Sequence, residues 1–367
     1  MSPATYKLGL ALSSTSSFGL APKLRNLMSS PRSIFIFGAT GYVGGTLLVA
    51  LVEQYPSLEI RALVRNPKDV ELVAAVGPSV AVVSGSHTDL DLVTTESSNA
   101  DVVFQVADPD DLNLTQAIIA GLKIRQEKSG KRGILIHTTG TGTIMDEGTG
   151  EFTDDYPIWD DVDTKALKSI DINAPHRIVD LEAIKAHDEG IADVYVICPA
   201  TIYGVGTGPV RRTSMQIPKL VEIYQTTRRA EYVAKGTNIW SNIHVQDLAH
   251  VFLLILDHAV QAQKSGDAQR PQDGFNNFYF TIAGEHTWGE VIAEIGNSMN
   301  KRGLLDSPEA YSVSAQKDPV LTLYSGSNSR AYSTRLKKLG WVPKEKSIKD
   351  TVDEDVEFVA NLLAKNK

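Results

Sequence analysis

The residues best placed to do chemistry in this 367-residue chain begin with a glycine loop, Gly38-Ala39-Thr40-Gly41-Tyr42-Val43-Gly44. It follows the apolar run Ile34-Phe35-Ile36-Phe37 and precedes a stretch of helical character, Thr46 to Val52. Between a buried strand and a helix each glycine has a task. Gly38 permits the tight turn, Gly41 lets the backbone approach a pyrophosphate, and Gly44 allows close packing of helix on strand. The pyrophosphate would then lie at the helix N-terminus, where free N–H groups and the helix dipole favour negative charge. Thr40, Tyr42 and Val43 complete the positions expected to line that cofactor loop. A purely structural glycine turn is the alternative.

The end of the next strand chooses between dinucleotides. An acid about 20 residues past the glycines would accept the adenosine ribose hydroxyls of NAD. The chain there reads Val64-Arg65-Asn66-Pro67-Lys68, with no acid. Arg65 can offer a planar fork to a 2′-phosphate, with Lys68 as a second positive charge, so the expected cofactor is NADP(H). A solvated surface arginine is the other reading.

The elements that must hold this loop are legible as short apolar runs. After Ser33–Phe37 come Glu59–Val64, Val80–Val83, Asp101–Val106, Gly133–His137 and Val194–Ile197, with helical stretches such as Leu112 to Lys128 and Ile178 to His187 between them. Strands alternating with helices predict an α/β fold built on a doubly wound parallel sheet.

Composition narrows the function classes. Lys plus Arg number 36 against 44 Asp plus Glu, a net charge of −8. An acidic chain without a basic stripe is not expected to bind nucleic acid. The single cysteine, Cys198, cannot form an intrachain disulfide, and its place in Tyr195-Val196-Ile197-Cys198 suggests a buried, inert thiol. The histidines form no metal-ligand pattern, so no metal is expected. The longest apolar run, Val251 to Leu256, is far short of the roughly 18 residues of a membrane span. Residues 1–32 are basic, Ser-rich and free of acid, with Lys7, Lys23, Arg25 and Arg32. They read as a flexible tail on a cytoplasmic protein or, alternatively, as an organelle-targeting leader.

Four motifs in order carry a resemblance. The glycine loop resembles the GxxGxxG loop of the extended short-chain dehydrogenases/reductases, the NAD-dependent epimerase/dehydratase superfamily. Pro199-Ala200-Thr201-Ile202-Tyr203-Gly204 is similar to its RPxxVYG segment, Asn242-Ile243-His244-Val245-Gln246-Asp247-Leu248-Ala249 to its xIHVxDLA segment, and Leu339-Gly340-Trp341-Val342-Pro343 to its LGWxP segment. The resemblance implies a Rossmann dinucleotide-binding domain over residues 33–203, with a return segment at about 242–283. Residues 204–241 and 284–367 would form a smaller substrate-binding lobe. It also implies cofactor contacts from Ala107 after the fourth strand and from Pro199, Thr201 and Ile202, and a homodimer through the helices at 112–128 and about 176–187.

The chain departs from the family where it matters most. Typical members carry Tyr-x-x-x-Lys on the helix before the sixth strand, the tyrosine as general acid/base and the lysine lowering its pKa. Here the stretch reads Ala174-Pro175-His176-Arg177-Ile178-Val179-Asp180, resembling an atypical group with HRxVD at this place. His176 then replaces the tyrosine as proton donor and Asp180, one helical turn on, orients it. Decay of the catalytic pair is the alternative. Tyr203 and Tyr156 are further candidate proton donors, and Thr139 and Thr141 stand where the family places a substrate-binding hydroxyl. The place before the IHV segment, often arginine in nucleotide-sugar enzymes, reads Ile239-Trp240-Ser241-Asn242. Trp240 offers an apolar face there, and Arg211 an anion contact.

The expected function is therefore an NADP(H)-dependent oxidoreductase transferring hydride to a small carbonyl or enone substrate. The alternatives are an epimerase or dehydratase with bound cofactor, and a non-catalytic NADP(H)-sensing protein.

Overall fold

In the computed structural model, which describes residues 33–267 and 270–365, the run Ile34–Phe37 forms β1 with all four side chains buried. The expected leader, residues 1–32, lies outside the described residues. The chain continues as α1 (Tyr42–Gln54), β2 (Ile60–Val64), α2 (Val70–Ala74), β3 (Val80–Ser84), α3 (Leu90–Asn99), β4 (Val102–Gln105), α4 (Leu112–Ser129) and β5 (Gly133–Thr138). Next come β6 (Trp159–Asp160), α5 (Thr164–Lys168), α6 (Arg177–Asp188), β7 (Ala192–Pro199), β8 (Thr201–Tyr203), α7 (Gln216–Thr227), β9 (Ala230–Val233), β10 (Ile239–His244) and α8 (Val245–Ser265). The last elements are β11 (Phe278–Thr281), β12 (Gly284–Thr287), α9 (Trp288–Lys301), β13 (Ala310–Val313), α10 (Pro319–Ser325), β14 (Ala331–Tyr332), α11 (Thr334–Lys338) and α12 (Ile348–Lys365).

Seven of these strands form one parallel sheet in the order β11-β7-β5-β4-β1-β2-β3. The doubly wound Rossmann architecture is thus present. Its strands are continuous apolar runs because helices cover both faces. Chain order reverses at β1, which pairs with β2 on one side and β4 on the other. Such a switch point leaves a crevice at the C-terminal strand ends, where ligands bind in open α/β sheets. Register makes those ends level: Phe37 stands beside Gln105, Gln105 beside His137, and His137 beside Val196. The seventh strand, β11, falls in a place where the sequence predicts none; its four residues FYFT follow a long polar loop and are too short to show a period.

A second hydrophobic core lies apart from the sheet. Ile348, Val352, Val356 and Val359 recur at helical spacing on α12 and bury one face against Tyr224, Trp240 and Trp288. Both cores belong to one compact unit, Arg32–Lys367. Among the described residues no helix is long and apolar enough to cross a membrane.

Candidate active site

The glycine loop closes tightly on the sheet. Gly38 has φ +85°, and a Cβ placed on it would sit 2.3 Å from the Val106 carbonyl oxygen. A Cβ on Gly44 would sit 2.2 Å from the Gly38 oxygen, and one on Gly41 3.0 Å from it. Side chains at these positions would fill the cradle and push α1 off β1. Gly41 is the N-cap of α1, with no side-chain cap and no acid in the first turn. The N–H groups of Tyr42, Val43 and Gly44 therefore have no acceptor within the helix and face an uncompensated positive dipole end. Those features fit a dinucleotide pyrophosphate, which the loop from Thr40 to Gly44 would hold. The Val106–Ala107 backbone lies against Gly38, which places Ala107 beside the same crevice. At the end of β2, Arg65 and Lys68 are exposed, and neither side chain has an ion-pair partner among the described residues. Asn66 shapes the turn between them by accepting from the Lys68 N–H.

Across the crevice, His176 is the N-cap of α6 and holds φ +67°, a left-handed conformation that costs a non-glycine residue energy. One oxygen holds it there: Asp110 Oδ1 accepts from the His176 backbone N–H at 3.1 Å and stands 2.8 Å from ring Nδ1. The other ring nitrogen makes no hydrogen bond among the described residues. It lies 3.3 Å from where a Cβ on Gly140 would be and 3.5 Å from one on Gly142, at the C-terminal end of β5. With Nδ1 on the carboxylate, Nε2 is the ring nitrogen turned toward the C-terminal end of β5.

Asp110 is the residue that sequence reasoning missed. Three acids follow β4 and do three different things. Asp108 Oδ1 accepts from the Asp110 N–H, Asp111 caps α4 by accepting from the Leu114 N–H, and Asp110 takes His176. The signal was present as an acidic run just past a strand end.

The expected role of Asp180 is corrected. Its carboxylate is fully buried and points to the sheet, 3.2 Å from His137 Nε2 and accepting from Thr139 Oγ1 at 2.8 Å. Because Asp180 lies one turn into α6, it meets the sheet face, whereas His176 stands at the helix end facing the crevice. Thr139 is accordingly committed to Asp180. Cys198 on the same sheet is fully buried, and burial pushes its thiol pKa up.

Three further placements differ from expectation. Tyr203 lies inside the second core with its hydroxyl donating to the Lys346 carbonyl at 2.8 Å. Burial raises that phenol well above its usual range, and its one proton is engaged by the Lys346 carbonyl. Trp240 also turns into the second core, because its indole N–H finds the Ser327 carbonyl at 2.7 Å there. Tyr156 donates to the Ile144 carbonyl at 2.6 Å, and burial raises its pKa as well. Nearer the crevice, Pro199 and Thr201 are buried and Ile202 is half-buried. The Pro199 carbonyl lies 3.9 Å from the place of a Gly140 Cβ, so the β5 and β7 ends adjoin. The hydroxyls of Thr138, Thr141 and Thr201 are buried without a hydrogen-bond partner among the described residues. Arg211 lies on a loop over α1, with its backbone N–H on the Thr40 carbonyl at 3.2 Å.

Comparison with known proteins agrees with this fold. Residues 38–170 match an NAD(P)H-binding domain family. Over 335 residues the chain is 30% identical to the oxidase ucsJ of an Acremonium species, covering 85% of this chain and 93% of that protein. Among solved structures it resembles an NAD-bound UDP-glucose-4-epimerase of Stenotrophomonas maltophila, with TM-score 0.63, 14% identity, and 91% and 99% of the two chains covered. It also resembles the dTDP-glucose 4,6-dehydratase DesIV of Streptomyces venezuelae, with TM-score 0.61, 17% identity, and 90% and 97% covered. The chain belongs to the family of the oxidase ucsJ, carries an NAD(P)H-binding domain, and has the fold of the NAD-bound epimerases and dehydratases. It has the NAD(P)-binding, oxidoreductase-like fold of that enzyme family.

Proposed function

We propose that this protein is an NADP(H)-dependent oxidoreductase acting on a small carbonyl or enone compound, with His176 moving the proton. The observation that carries the reading is the His176–Asp110 pair. A strained backbone and one carboxylate oxygen hold the ring so that Nε2 faces Gly140 and Gly142 at the crevice. When bound, the nicotinamide supplies or accepts the hydride. The protein's own part is to seat the pyrophosphate on α1, to favour the 2′-phosphate with Arg65 and Lys68, and to hold a proton at Nε2. An oxidase relative of similar length supports redox chemistry over isomerisation. The absence of an arginine among Ile239–Asn242 supports a small substrate over a nucleotide sugar. The same reading places the protein in the cytoplasm as a homodimer using α4 and α6, where Ile178 is exposed on α6.

A panel of ketones, aldehydes and enones tests it. Net NADPH consumption that is abolished in His176→Ala is the expected result. Product formed without net cofactor change would instead favour an isomerase, and binding without turnover a sensor. Arg65→Ala is expected to weaken NADPH by about tenfold and leave NADH unchanged.

A further inference from the structure

The loop Gly204–Ser214 straps across the first turn of α1, and glycines let it lie close. Gly204 has φ +88°; its N–H donates to Asp355 Oδ2 at 3.0 Å and its carbonyl accepts from the Tyr42 hydroxyl at 2.5 Å. A Cβ on Gly206 would sit 2.8 Å from Thr46 Oγ1, and one on Gly208 2.9 Å from the Gly45 backbone. The strap therefore rests on α1 through backbone, and ends with Arg211 N–H on the Thr40 carbonyl.

Its two arginines divide sharply. Arg212 is structural: Nε donates to the Gly206 carbonyl at 2.6 Å, and its guanidinium lies 5.2 Å from the Phe358 ring centre. Arg211 has only a 3.5 Å contact to the Ser214 carbonyl and no ion pair among the described residues. Its charge is nonetheless near the loop: burial and the Asp355 charge raise the Tyr42 phenol, and Arg211 works against them. An exposed guanidinium with no ion pair among the described residues thus belongs to a strap whose backbone is tied to Thr40, and the first turn of α1 carries no acid to compensate its N-terminus. The sequence assigns Arg211 to a substrate anion; its tether to Thr40 puts it on the cofactor side.

We propose that Arg211 is a second anion-binding group for the dinucleotide, holding its pyrophosphate together with the N–H groups of α1. The planar fork of a guanidinium suits two phosphate oxygens. The inference rests on a dinucleotide seated at the glycine loop, and not on the choice of NADP or on His176.

The test is fluorescence titration of the full chain with NADH and with NADPH, comparing wild type, Arg211→Ala and Arg65→Ala. Because both dinucleotides share the pyrophosphate, Arg211→Ala is expected to weaken both equally, by about tenfold. It should also flatten the salt dependence of binding and weaken competition by inorganic pyrophosphate. Thermal melts accompany each variant; should the alanine variant melt early, Arg211→Gln and Arg211→Lys are titrated, with affinity expected to return only in the lysine variant. Equal affinities in wild type and Arg211→Ala would overturn the assignment while leaving the dinucleotide site intact. A loss confined to NADPH would also overturn it, by assigning Arg211 to the 2′-phosphate. Wild-type protein binding neither dinucleotide would overturn the site itself.

Discussion

Replacing Asp110 by alanine separates the site as folded from the site as the residue spacing suggests it. One oxygen, Oδ1, accepts from the His176 backbone N–H at 3.1 Å and holds Nδ1 at 2.8 Å. The Asp110 side chain is 61% exposed and that of His176 19%, so water screens the pair. Each contact then falls low in its range, about 0.5–1 kcal/mol. Losing both removes about 1–2 kcal/mol of positioning, roughly 5- to 30-fold in kcat/KM. His176→Ala removes the proton-moving group itself and is expected to lower kcat by about 10²–10⁴-fold. Asp180→Asn disturbs only the buried contacts to His137 and Thr139. It should lower stability by about 1–3 kcal/mol and leave kcat of the folded protein within about threefold. Steady-state NADPH consumption on the best substrate of the carbonyl panel, together with urea midpoints, reads all three variants. Wild-type turnover in Asp110→Ala, or lost turnover with unchanged stability in Asp180→Asn, refutes the pairing of His176 with Asp110.

Gly44→Ala sets a Cβ 2.2 Å from the Gly38 oxygen, backbone against backbone with nothing flexible to yield. Thermal melts should show a loss of about 1–3 kcal/mol or more, and NADH and NADPH binding should fall together. Asp355 has its carboxyl raised to about 7, mainly by burial. The folded state holds that proton where the unfolded chain has released it, so stability declines as pH rises from the ordinary carboxylate range through about 7. Asp355→Asn keeps an acceptor for the Gly204 N–H, and should be more stable than wild type above that pH, with the advantage shrinking in acid. His286 is driven the other way, down to about 3 from 6.5 by burial, with Asn242 Nδ2 at 3.0 Å from its Nδ1. Stability should therefore fall as pH drops below 6.5, and denaturant melts of His286→Gln should show a shallower slope there.

The sequence by itself determined six of the seven strands of the sheet and the cofactor loop. Ile34–Phe37, Val102–Gln105 and Ala192–Pro199 are apolar runs that must be buried on both faces, and the glycines between β1 and α1 have few other uses. Both signals are local, carried by neighbours along the chain. What only the tertiary structure decided is which side chains meet. His176 and Asp110 are 66 residues apart, and no spacing rule joins them. Asp180 sits one turn from His176, as the spacing suggests, yet the helix end turns one residue to the crevice and the other to the sheet. Tyr203 and Trp240 look equally suited to a cleft, but a second core claims both, because each polar tip finds a carbonyl there. Periodicity fixes which residues are buried. Partnership depends on where separate elements cross, and that is a property of the packed chain alone.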